Sequence, residues 1–512
     1  MGKDDDDNRL DHKRLDHRSL DHRSLNRRFF LGASTATLLA LPGVSLAQQQ
    51  RPSGPGKASE PAKRAPAQAP SKAIADFVTG FDLKSAPPLV IERARIAFID
   101  TVGVMLAGSQ TPPADIVCDI IKLEGSAPAA TIVGRQLRAS PQLAALANGV
   151  AGHAMDFDLN TATQSVAGVI PAILPVAETT GASPSEMLAA FIVAAEIAAR
   201  FYRAAPERWR NTSWHGTGTI GTTAVAMASA RLMKIPAEKI PDIVGITASM
   251  AAGLNINFGT MTKPLHSGRS AQQGILAAML GARGFTASGS ALEGRGGYFE
   301  RFVQNWTLEP FADLGRRYDL AELGYRLKAY PSGGLGHTAI DAALELRELI
   351  KLDDIAHIDI ALTNFVARRI TDKYPQTEES AKFSGPYLAA YTLVHGAPMF
   401  AAFTEEALHD EAVRSLARKV SLVAYPEYAD LLEDSPTKVT VTLNDGRKIE
   451  RSRYYPSGTM QVPMSPAQIK AKFDTCAAQA IDNSAAEKIY AMLSTIGEQP
   501  SFAEFWPLLR KV

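Results

Sequence analysis

Residues 259–284 read GTMTKPLHSGRSAQQGILAAMLGARG and give the strongest signal in the chain. From about Gly268 onward the apolar residues have helical spacing. Lys263, His266 and Arg269 stand just before this helix and in its first turn. The first turn of a helix has unpaired backbone N–H groups and a partial positive charge, so additional cations there indicate an anion-binding site. A solvated surface loop is the alternative interpretation.

The composition is that of an ordinary globular protein. The chain has 512 residues, of which 46% are apolar and 21% charged, and its formal net charge is +1. This length predicts two or three domains. Because the charges almost balance, we expect no nucleic-acid partner and no anionic membrane surface, and any cationic site must be local. Cys118 and Cys476 leave one disulfide open and exclude a cysteine-rich metal framework.

Residues 1–50 are typical of a twin-arginine export signal preceded by a low-complexity extension. Arg27 and Arg28 precede a short apolar stretch at 29–41, and residues 45–47 (Ser-Leu-Ala) fit a cleavage site. We therefore expect a periplasmic or secreted protein, with a single anchoring helix as the alternative. The body has no apolar run of the ~18 residues that a membrane span requires, so we expect no membrane association once the signal is removed.

The extension contains the five-residue repeat LDHKRLDHRSLDHRSL, with His12, His17 and His22. Because a period of five spreads these imidazoles around a helix, we interpret the repeat as low-complexity sequence rather than as a metal site. Residues 51–71 are rich in Pro, Ala and Gly and indicate a linker.

The remaining sequence predicts a mostly α protein. Helical patterns rich in Ala and other small residues predict a large helical domain over 72–328, in which 127–135 alone suggests a strand. Residues 329–464 predict a smaller α+β domain, including a strand–Asn-Asp-Gly–strand hairpin in TKVTVTLNDGRKIERSRYY. Helices return at 465–512.

Three further segments place polar side chains near helix entries. His215 precedes the Gly/Thr-rich GTGTIGTTAVAMASA, His337 follows three glycines, and NGVAGHAMDFD carries His153, Asp156 and Asp158. Glycines let the backbone approach an anion, and histidine can donate to the anion or move a proton. A capping or exposed histidine is the alternative at each position.

Common nucleotide and hydrolase motifs are lacking. GTGTIG at 216–221 matches GxGxxG in form, but PERWRNTSWH before it is not a strand, so we reject a dinucleotide fingerprint. No P-loop, HExxH or GxSxG pattern occurs in the sequence.

Five segments occur in the order seen in the MmgE/PrpD family: NGVAGHAMDFD, WHGTGTIGTTAVAMA, FGTMTKPLHSGRSAQQGILAAMLGARGFT, KAYPSGGLGHTAIDA and EESAKFSGPY. The chain resembles this family over roughly residues 72–505. The family includes 2-methylcitrate dehydratase, cis-aconitate decarboxylase and iminodisuccinate epimerase. The resemblance implies a helical domain built from both ends of the body, an α+β lid domain between them, and a homodimer. It also implies chemistry on small di- or tricarboxylates without cofactor or metal.

The resemblance assigns four residues to catalytic positions in the pocket: Asp156, His215, Lys263 and His337. It suggests five others as residues that bind substrate carboxylates or support the pocket wall: His266, Arg269, Lys328, Tyr330 and Gln164. A lysine close to other cations tends toward a lower pKa and can act as a base.

One segment departs from the family pattern. The family commonly has an Asp-Phe-Asp-Asp-Thr-His-like stretch and a His-Pro-Ser before the next helix. Here Leu159 stands at the second acid of the pair, and Gln164-Ser165 lie about where His-Pro is expected. Because an amide cannot shuttle a proton, acid–base work would fall on His215, Lys263 or Asp156.

The first functional hypothesis is a lyase of dehydratase type that acts on a small di- or tricarboxylate. The second is an isomerase or epimerase of a related acid, which the missing histidine favours because epimerisation needs fewer contacts to a leaving group. The third is an exported carboxylate-binding protein without turnover.

Overall fold

A computed structural model describes residues 69–161, 166–206, 213–303, 305–429, 431 and 436–510.

Helix starts in this chain are set by proline and by capping side chains. The Ser183 hydroxyl accepts from the backbone N–H of Glu186, and the Glu186 carboxylate accepts from the backbone N–H of Ser183. Ser465 and Gln468 form the same reciprocal cap. Such a capping box satisfies two backbone donors that the helix itself leaves unpaired.

The predicted signal, nearly all of the predicted linker, and Gln164 lie outside the described residues. The described residues form these helices: α1 (Pro70–Gly80), α2 (Pro88–Gly108), α3 (Pro112–Glu124), α4 (Pro141–Ala154), α5 (Val169–Thr180), α6 (Pro184–Arg203), α7 (Gly216–Leu232), α8 (Ile240–Met250), α9 (Thr262–Ala282), α10 (Tyr298–Phe302), α11 (Asp319–Glu322), α12 (His337–Arg347), α13 (Asn364–Ala367), α14 (Glu378–Ala381), α15 (Gly385–His395), α16 (Glu405–Leu408), α17 (Glu411–Ala417), α18 (Pro466–Ala477), α19 (Asn483–Ser494) and α20 (Phe505–Leu508).

They form these strands: β1 (Ala130–Thr131), β2 (Arg138–Ala139), β3 (Asn160–Thr161), β4 (Tyr325–Arg326), β5 (Ile355–Leu362), β6 (Val420–Ala424), β7 (Thr437–Leu443) and β8 (Lys448–Arg453). β1 pairs with β2 and β3 with β4, both antiparallel. The four-stranded sheet has the order β6-β5-β7-β8, in which only the β5–β6 pair is parallel.

The chain builds its interior around two main hydrophobic cores. The larger core contains residues from α1 to β4 together with Ile469, Phe473 and Ile489 of the C-terminal helices. The second core lies between the four-stranded sheet and α12, α15 and α17. The mostly α architecture is therefore confirmed, while the predicted role of the second region as a lid stays a prediction.

The predicted hairpin is confirmed, since β7 and β8 flank a turn at Gly446 with φ of +85°. The strand at 127–135 is reduced to the two residues of β1. The expected helix start near Gly268 is wrong, because α9 begins at Thr262. Pro264 fits the first turn, because the N–H that proline lacks would form no helical hydrogen bond there. The sequence pattern misses this turn because its polar side chains interrupt the helical spacing of apolar residues.

Two glycines allow α4 and α9 to approach closely. A Cβ added to Gly149 would lie 2.7 Å from the Cα of Gly268, and one added to Gly268 would lie 2.5 Å from the carbonyl oxygen of Leu146. Any larger residue would therefore push the helices apart. This crossing positions the end of α4 against the first turns of α9, where the sequence predicts the site.

None of the helices in the described ranges combines the length and the apolar character needed to cross a membrane.

We predict that Gly268→Ala destabilises the protein by about 1–3 kcal/mol, the usual effect of overpacking a tight contact. Urea unfolding followed by circular dichroism measures this change. Gly80→Ala is the matched control, because no described heavy atom lies within 4 Å of a Cβ added there. Equal stability of the two variants would contradict the importance of the crossing.

Candidate active site

The loop after α4 presents Asp156 to two lysines. The Asp156 carboxylate lies 2.9 Å from the Nζ of Lys263 on α9 and also accepts from the Nζ of Lys328. Lys328 donates in addition to the backbone carbonyl of Asp156, at 2.8 Å. All three side chains are buried. We call these residues the carboxylate–lysine cluster.

Asp156 has a φ of +48°, in the left-handed region that few residues other than glycine adopt. Such backbone strain persists only where surrounding contacts fix it, and it is concentrated at functional sites. Here the two hydrogen bonds from Lys328 hold both the backbone and the side chain of Asp156.

Strand pairing brings Lys328 to this loop. β3 pairs with β4, with Asn160 opposite Arg326, although more than 160 residues separate the two strands. The loop that carries Asp156 therefore lies beside the segment that carries Lys328. Sequence spacing gives no signal of this pairing because both strands have only two residues.

A second buried ion pair supports the same loop from behind. The Nζ of Lys472 on α18 lies 2.6 Å from the Asp100 carboxylate and donates to the carbonyl of Phe157 at 2.8 Å. Asp100 in turn accepts from the backbone N–H of Leu159 at 2.9 Å. Burial raises the pKa of Asp100, and the ammonium group of Lys472 opposes that shift. The C-terminal helix α18 thus holds the loop that carries Asp156 in place.

The charges of the carboxylate–lysine cluster depend on one another. Burial alone would raise the pKa of Asp156, but the ammonium groups of Lys263 and Lys328 hold it well below its usual value. Burial lowers the pKa of Lys263, and Asp156 opposes that shift. The rings of Phe258 and Phe383 lie 5.5 Å and 5.4 Å from the Nζ of Lys263 and form an apolar wall beside it.

Three histidines lie beside this cluster, and we call them the histidine group: His153, His215 and His266. The Nδ1 atoms of His215 and His266 lie 3.0 Å apart, so one ring donates to the other. The rings of His153 and His215 stack at 5.7 Å between centroids. Burial lowers the pKa of His215 well below its usual value and that of His266 to about 4. His215 and His266 are therefore neutral near pH 7.

His337, at the start of α12, is completely buried. Its Nε2 lies 3.3 Å from the carbonyl oxygen of Ser332, and its Nδ1 has no hydrogen-bond partner among the described residues. Burial lowers the pKa of His337 to about 3, and the charges of Lys328 and Asp156 also act on it. The imidazole of His337 is therefore neutral near pH 7 and lies next to the carboxylate–lysine cluster.

The structure thus brings together five of the predicted site residues, Asp156, His215, Lys263, His266 and Lys328, and places His337 within range of the charges of Lys328 and Asp156. Tyr330 contacts His337 with its ring, but its hydroxyl donates to Asp341 at 2.7 Å. Arg269 does not join the cluster, because its side chain is exposed and donates to Gln272. Arg269 lies three residues beyond His266 on α9, but it is directed to solvent. Gln164 lies outside the described residues.

The sequence analysis did not select five buried residues around this loop as site residues: Asp100, His153, Asp158, Lys382 and Lys472. The Asp158 carboxylate is hydrogen-bonded to His153, and Lys472 forms an ion pair with Asp100. Lys382 donates a hydrogen bond to the carbonyl of Ala154 at 2.9 Å. Lysine is rarely buried unless it is paired, but α18 also carries Gln468, Lys470 and Asp474, so its sequence does not mark Lys472 as a buried residue.

His153, Asp156 and Asp158 each place one ligand atom within 4.8 Å of the others, a spacing that a metal ion could bridge. The Asp156 carboxylate, however, already accepts from two ammonium groups. A divalent ion there would lie close to two cations, so the donor set fits a proton-transfer network better than a metal centre.

A surface groove of about 870 Å³ lies elsewhere, between α1 and residues 306–318. Its ionisable lining residues include Asp76, Asp82 and Glu309. Because these carboxylates would repel an organic acid, the groove is a poor candidate for the anion site.

Comparison with known proteins matches two family models to the chain. The model for the MmgE/PrpD N-terminal domain matches residues 72–310, and the model for the C-terminal domain matches residues 330–497. Cis-aconitate decarboxylase from Homo sapiens is 26% identical over 459 residues, covering 86% of this chain and 94% of the relative. The protein of the same name from Aspergillus terreus is 26% identical over 447 residues, covering 81% and 91%.

We predict that acidification from about pH 7 to about pH 5 destabilises the fold. Folding lowers the pKa of His215, His266 and His337, so below their unfolded-state pKa the unfolded chain binds protons that the folded chain does not. Each such histidine reduces the free energy of unfolding by about 1.4 kcal/mol per pH unit. The stabilisation from Asp156 is lost only at still lower pH, because the pKa of its carboxyl is depressed.

Urea unfolding at several pH values measures this slope. His337→Gln removes one of the buried imidazoles, so the slope of its stability against pH should be smaller than that of the wild type. His409→Gln changes an exposed histidine and should leave the slope unchanged. An identical slope in wild type and His337→Gln would contradict the prediction.

Proposed function

The chain belongs to the MmgE/PrpD family, and we propose that it is a cofactor-free lyase that removes a proton next to a carboxylate of a small di- or tricarboxylate. The observation that carries this proposal is the buried carboxylate–lysine cluster, in which one aspartate carboxylate is paired with two ammonium groups. A substrate carboxylate that enters the site would compete with Asp156 for these donors.

The local charge supports an anionic substrate. Three buried lysines, Lys263, Lys328 and Lys382, lie around two buried aspartates, Asp156 and Asp158. Since His215 and His266 are neutral near pH 7, the lysines give the site a surplus of positive charge. In a buried site such a surplus attracts organic acids far more strongly than it would in water.

The same charges suit the chemistry next to a carboxylate. When a C–H bond adjacent to a carboxylate breaks, its electron pair delocalises into the carboxylate and forms a dianionic, enolate-like species. Fixed ammonium groups that need no reorganisation stabilise such a species. Lys263 and Lys328 occupy this role in the proposal, while the histidine group supplies proton transfer.

The reaction that follows defines the class of lyase. In a dehydratase, a hydroxyl on the adjacent carbon leaves as water and a double bond forms. In a decarboxylase, CO₂ leaves and a proton takes its place on the carbon. The relatives named cis-aconitate decarboxylase favour decarboxylation as the second candidate at this site.

An isomerase or epimerase is a further candidate. It would return the proton to the opposite face of the same carbon and needs no acid for a leaving group. The sequence Gln164-Ser165, at the position where the family commonly has His-Pro, supports this alternative.

We further propose a homodimer formed through α3. The helix exposes Ile116, Ile120 and Leu123 on one face, and Leu123 is 82% exposed. Apolar side chains grouped at helical spacing on a surface mark an interaction site. We expect Ile120→Glu to yield a monomer in sedimentation equilibrium; a monomeric wild type would contradict this proposal.

Export through a twin-arginine signal is also a proposal, supported by Arg27 and Arg28 and by the apolar stretch that follows them. Amino-terminal sequencing of protein recovered from the periplasm or medium should begin just after Ala47.

A thermal-shift screen tests the proposed ligand class. The acids are citrate, 2-methylcitrate, cis-aconitate, malate, tartrate and an amino-dicarboxylate. An acid at 100 times its dissociation constant should stabilise the protein by about 2.7 kcal/mol. Acids that bind are then assayed for release of CO₂, for formation of a double bond, and for deuterium uptake from D₂O. Uptake without net product would indicate an epimerase.

We predict that Lys263→Met lowers turnover of such an acid by roughly 10²–10⁴-fold, the usual contribution of one well-placed catalytic group. Asp156 keeps Lys328 as a partner, so the variant should fold. Lys72→Met, at an exposed lysine on α1, is the control and should retain full turnover. A protein that binds the acids but shows no turnover even in the wild type would instead be a carboxylate-binding protein.

A further inference from the structure

A histidine outside the predicted catalytic set lies at one end of the histidine group. His153 is buried in the last turn of α4, and its Nδ1 lies 2.9 Å from an Asp158 carboxylate oxygen that is also buried. Its ring stacks on that of His215. His153 therefore stands between a carboxylate and the imidazole that the sequence selected.

The hydrogen bond to Asp158 decides which nitrogen of His153 carries the proton. Because a carboxylate only accepts hydrogen bonds, the Nδ1 of His153 must be the donor. The Nε2 of the neutral ring is then left with its lone pair. This Nε2 is buried and has no hydrogen-bond partner among the described residues, and the same is true of the second oxygen of Asp158.

Two fixed features distinguish His153 from His215. Asp158 is a carboxylate directly bonded to the His153 ring, and the last turn of a helix carries partial negative charge. His215 has no bonded carboxylate among its described hydrogen bonds; it lies near Lys263, and its Nδ1 is engaged with His266. Since the two rings stack, a proton on His153 also opposes one on His215.

We propose that His153, held by Asp158, is a catalytic residue that transfers the proton in this site. The inference rests on the function proposed above. The Nε2 of His153 accepts the proton from the carbon next to a substrate carboxylate, and the C–H electron pair passes into that carboxylate. In a dehydration the imidazolium, paired with Asp158, then gives the proton to the departing hydroxide. An epimerisation needs a proton on the opposite face of the carbon, so there His153 acts as the base alone and releases its proton to solvent, while a second acid on the opposite face supplies the new proton.

In a decarboxylation the order is reversed. Loss of CO₂ leaves an electron pair on carbon, and an imidazolium already formed on His153 donates the proton that completes the product. A dehydration returns His153 to its starting state directly. After a decarboxylation, His153 regains from solvent the proton that it donated. The charged and titratable groups that face it are Asp156 and Asp158, from the loop that follows α4, and His215 and His266 from the neighbouring helices.

The first experiment compares His153→Asn and Asp158→Asn with the wild type. The amide nitrogen of asparagine takes the place of Nδ1 and keeps the bond to Asp158, while the group corresponding to Nε2 is removed. We expect turnover of cis-aconitate, and deuterium exchange from D₂O into it, to fall roughly 10²–10⁴-fold in His153→Asn. The thermal shift produced by citrate should stay within a few degrees of the wild-type value.

Asp158→Asn tests the orienting role, because an amide can donate to Nδ1 and stabilise the wrong tautomer. We expect a loss of turnover with little change in KM for cis-aconitate, whereas a merely structural role would lower Tm without this separation. His395→Gln is the matched control, since His395 pairs with Asp410 at 2.7 Å but is exposed. Turnover in His153→Asn within threefold of the wild type would overturn the proposal.

A second measurement does not depend on turnover. The chain has 10 histidines, and ¹⁵N-histidine labelling with the His153→Asn variant identifies the signal of His153. We expect the neutral ring to carry its proton on Nδ1, because of the hydrogen bond to Asp158, and we expect a change at Nε2 when citrate is added. A signal with the proton on Nε2 alone overturns the proposal. If none of the acids binds or reacts, the proposed function fails, but this spectrum still decides the tautomer and hence the role of His153.

Discussion

The carboxylate of Asp156, shared between the ammonium groups of Lys263 and Lys328, is the interaction on which the site depends. Burying one charge alone is strongly unfavourable, and burying three is tolerable only because each has a partner at hydrogen-bond distance. The three residues come from the α4 loop, from α9 and from the segment after β4. The ion cluster therefore joins three distant parts of the chain, and it also holds Asp156 in its left-handed backbone conformation.

Much of the surrounding fold can be understood as support for this cluster. The contact between Gly149 and Gly268 lets α4 and α9 come close enough for Asp156 to reach Lys263. Behind the loop, Lys472 and Asp100 bond the backbone at Phe157 and Leu159. Leu159 stands where the family commonly has a second acid, and here it contributes its backbone N–H to Asp100 while its side chain joins the main core.

In the proposed function the histidine group moves protons beside the cluster. Burial keeps His215, His266 and His337 neutral near pH 7, so the lysines carry the positive charge of the site. His153 has a different kind of partner, because its Nδ1 is hydrogen-bonded to the Asp158 carboxylate. Buried lysines and an imidazole paired with a carboxylate therefore lie side by side, an arrangement suited to chemistry next to a carboxylate.

The sequence by itself determined the local structure and the family. Local structure depends on neighbouring residues alone, as in the helical spacing of apolar residues, the proline and serine at helix starts, and the Asn-Asp-Gly turn. The order of the motifs along the chain indicates the family. Together with the resemblance, the sequence also named nine candidate site residues, among them Asp156, Lys263, Lys328 and Arg269. Only the tertiary structure decided which of these meet. Arg269, three residues beyond His266, is directed to solvent, whereas Lys472, at the other end of the chain, lies against the loop. Ion pairs and stacked rings between distant segments depend on how helices cross, and that geometry leaves no periodic trace in the order of residues.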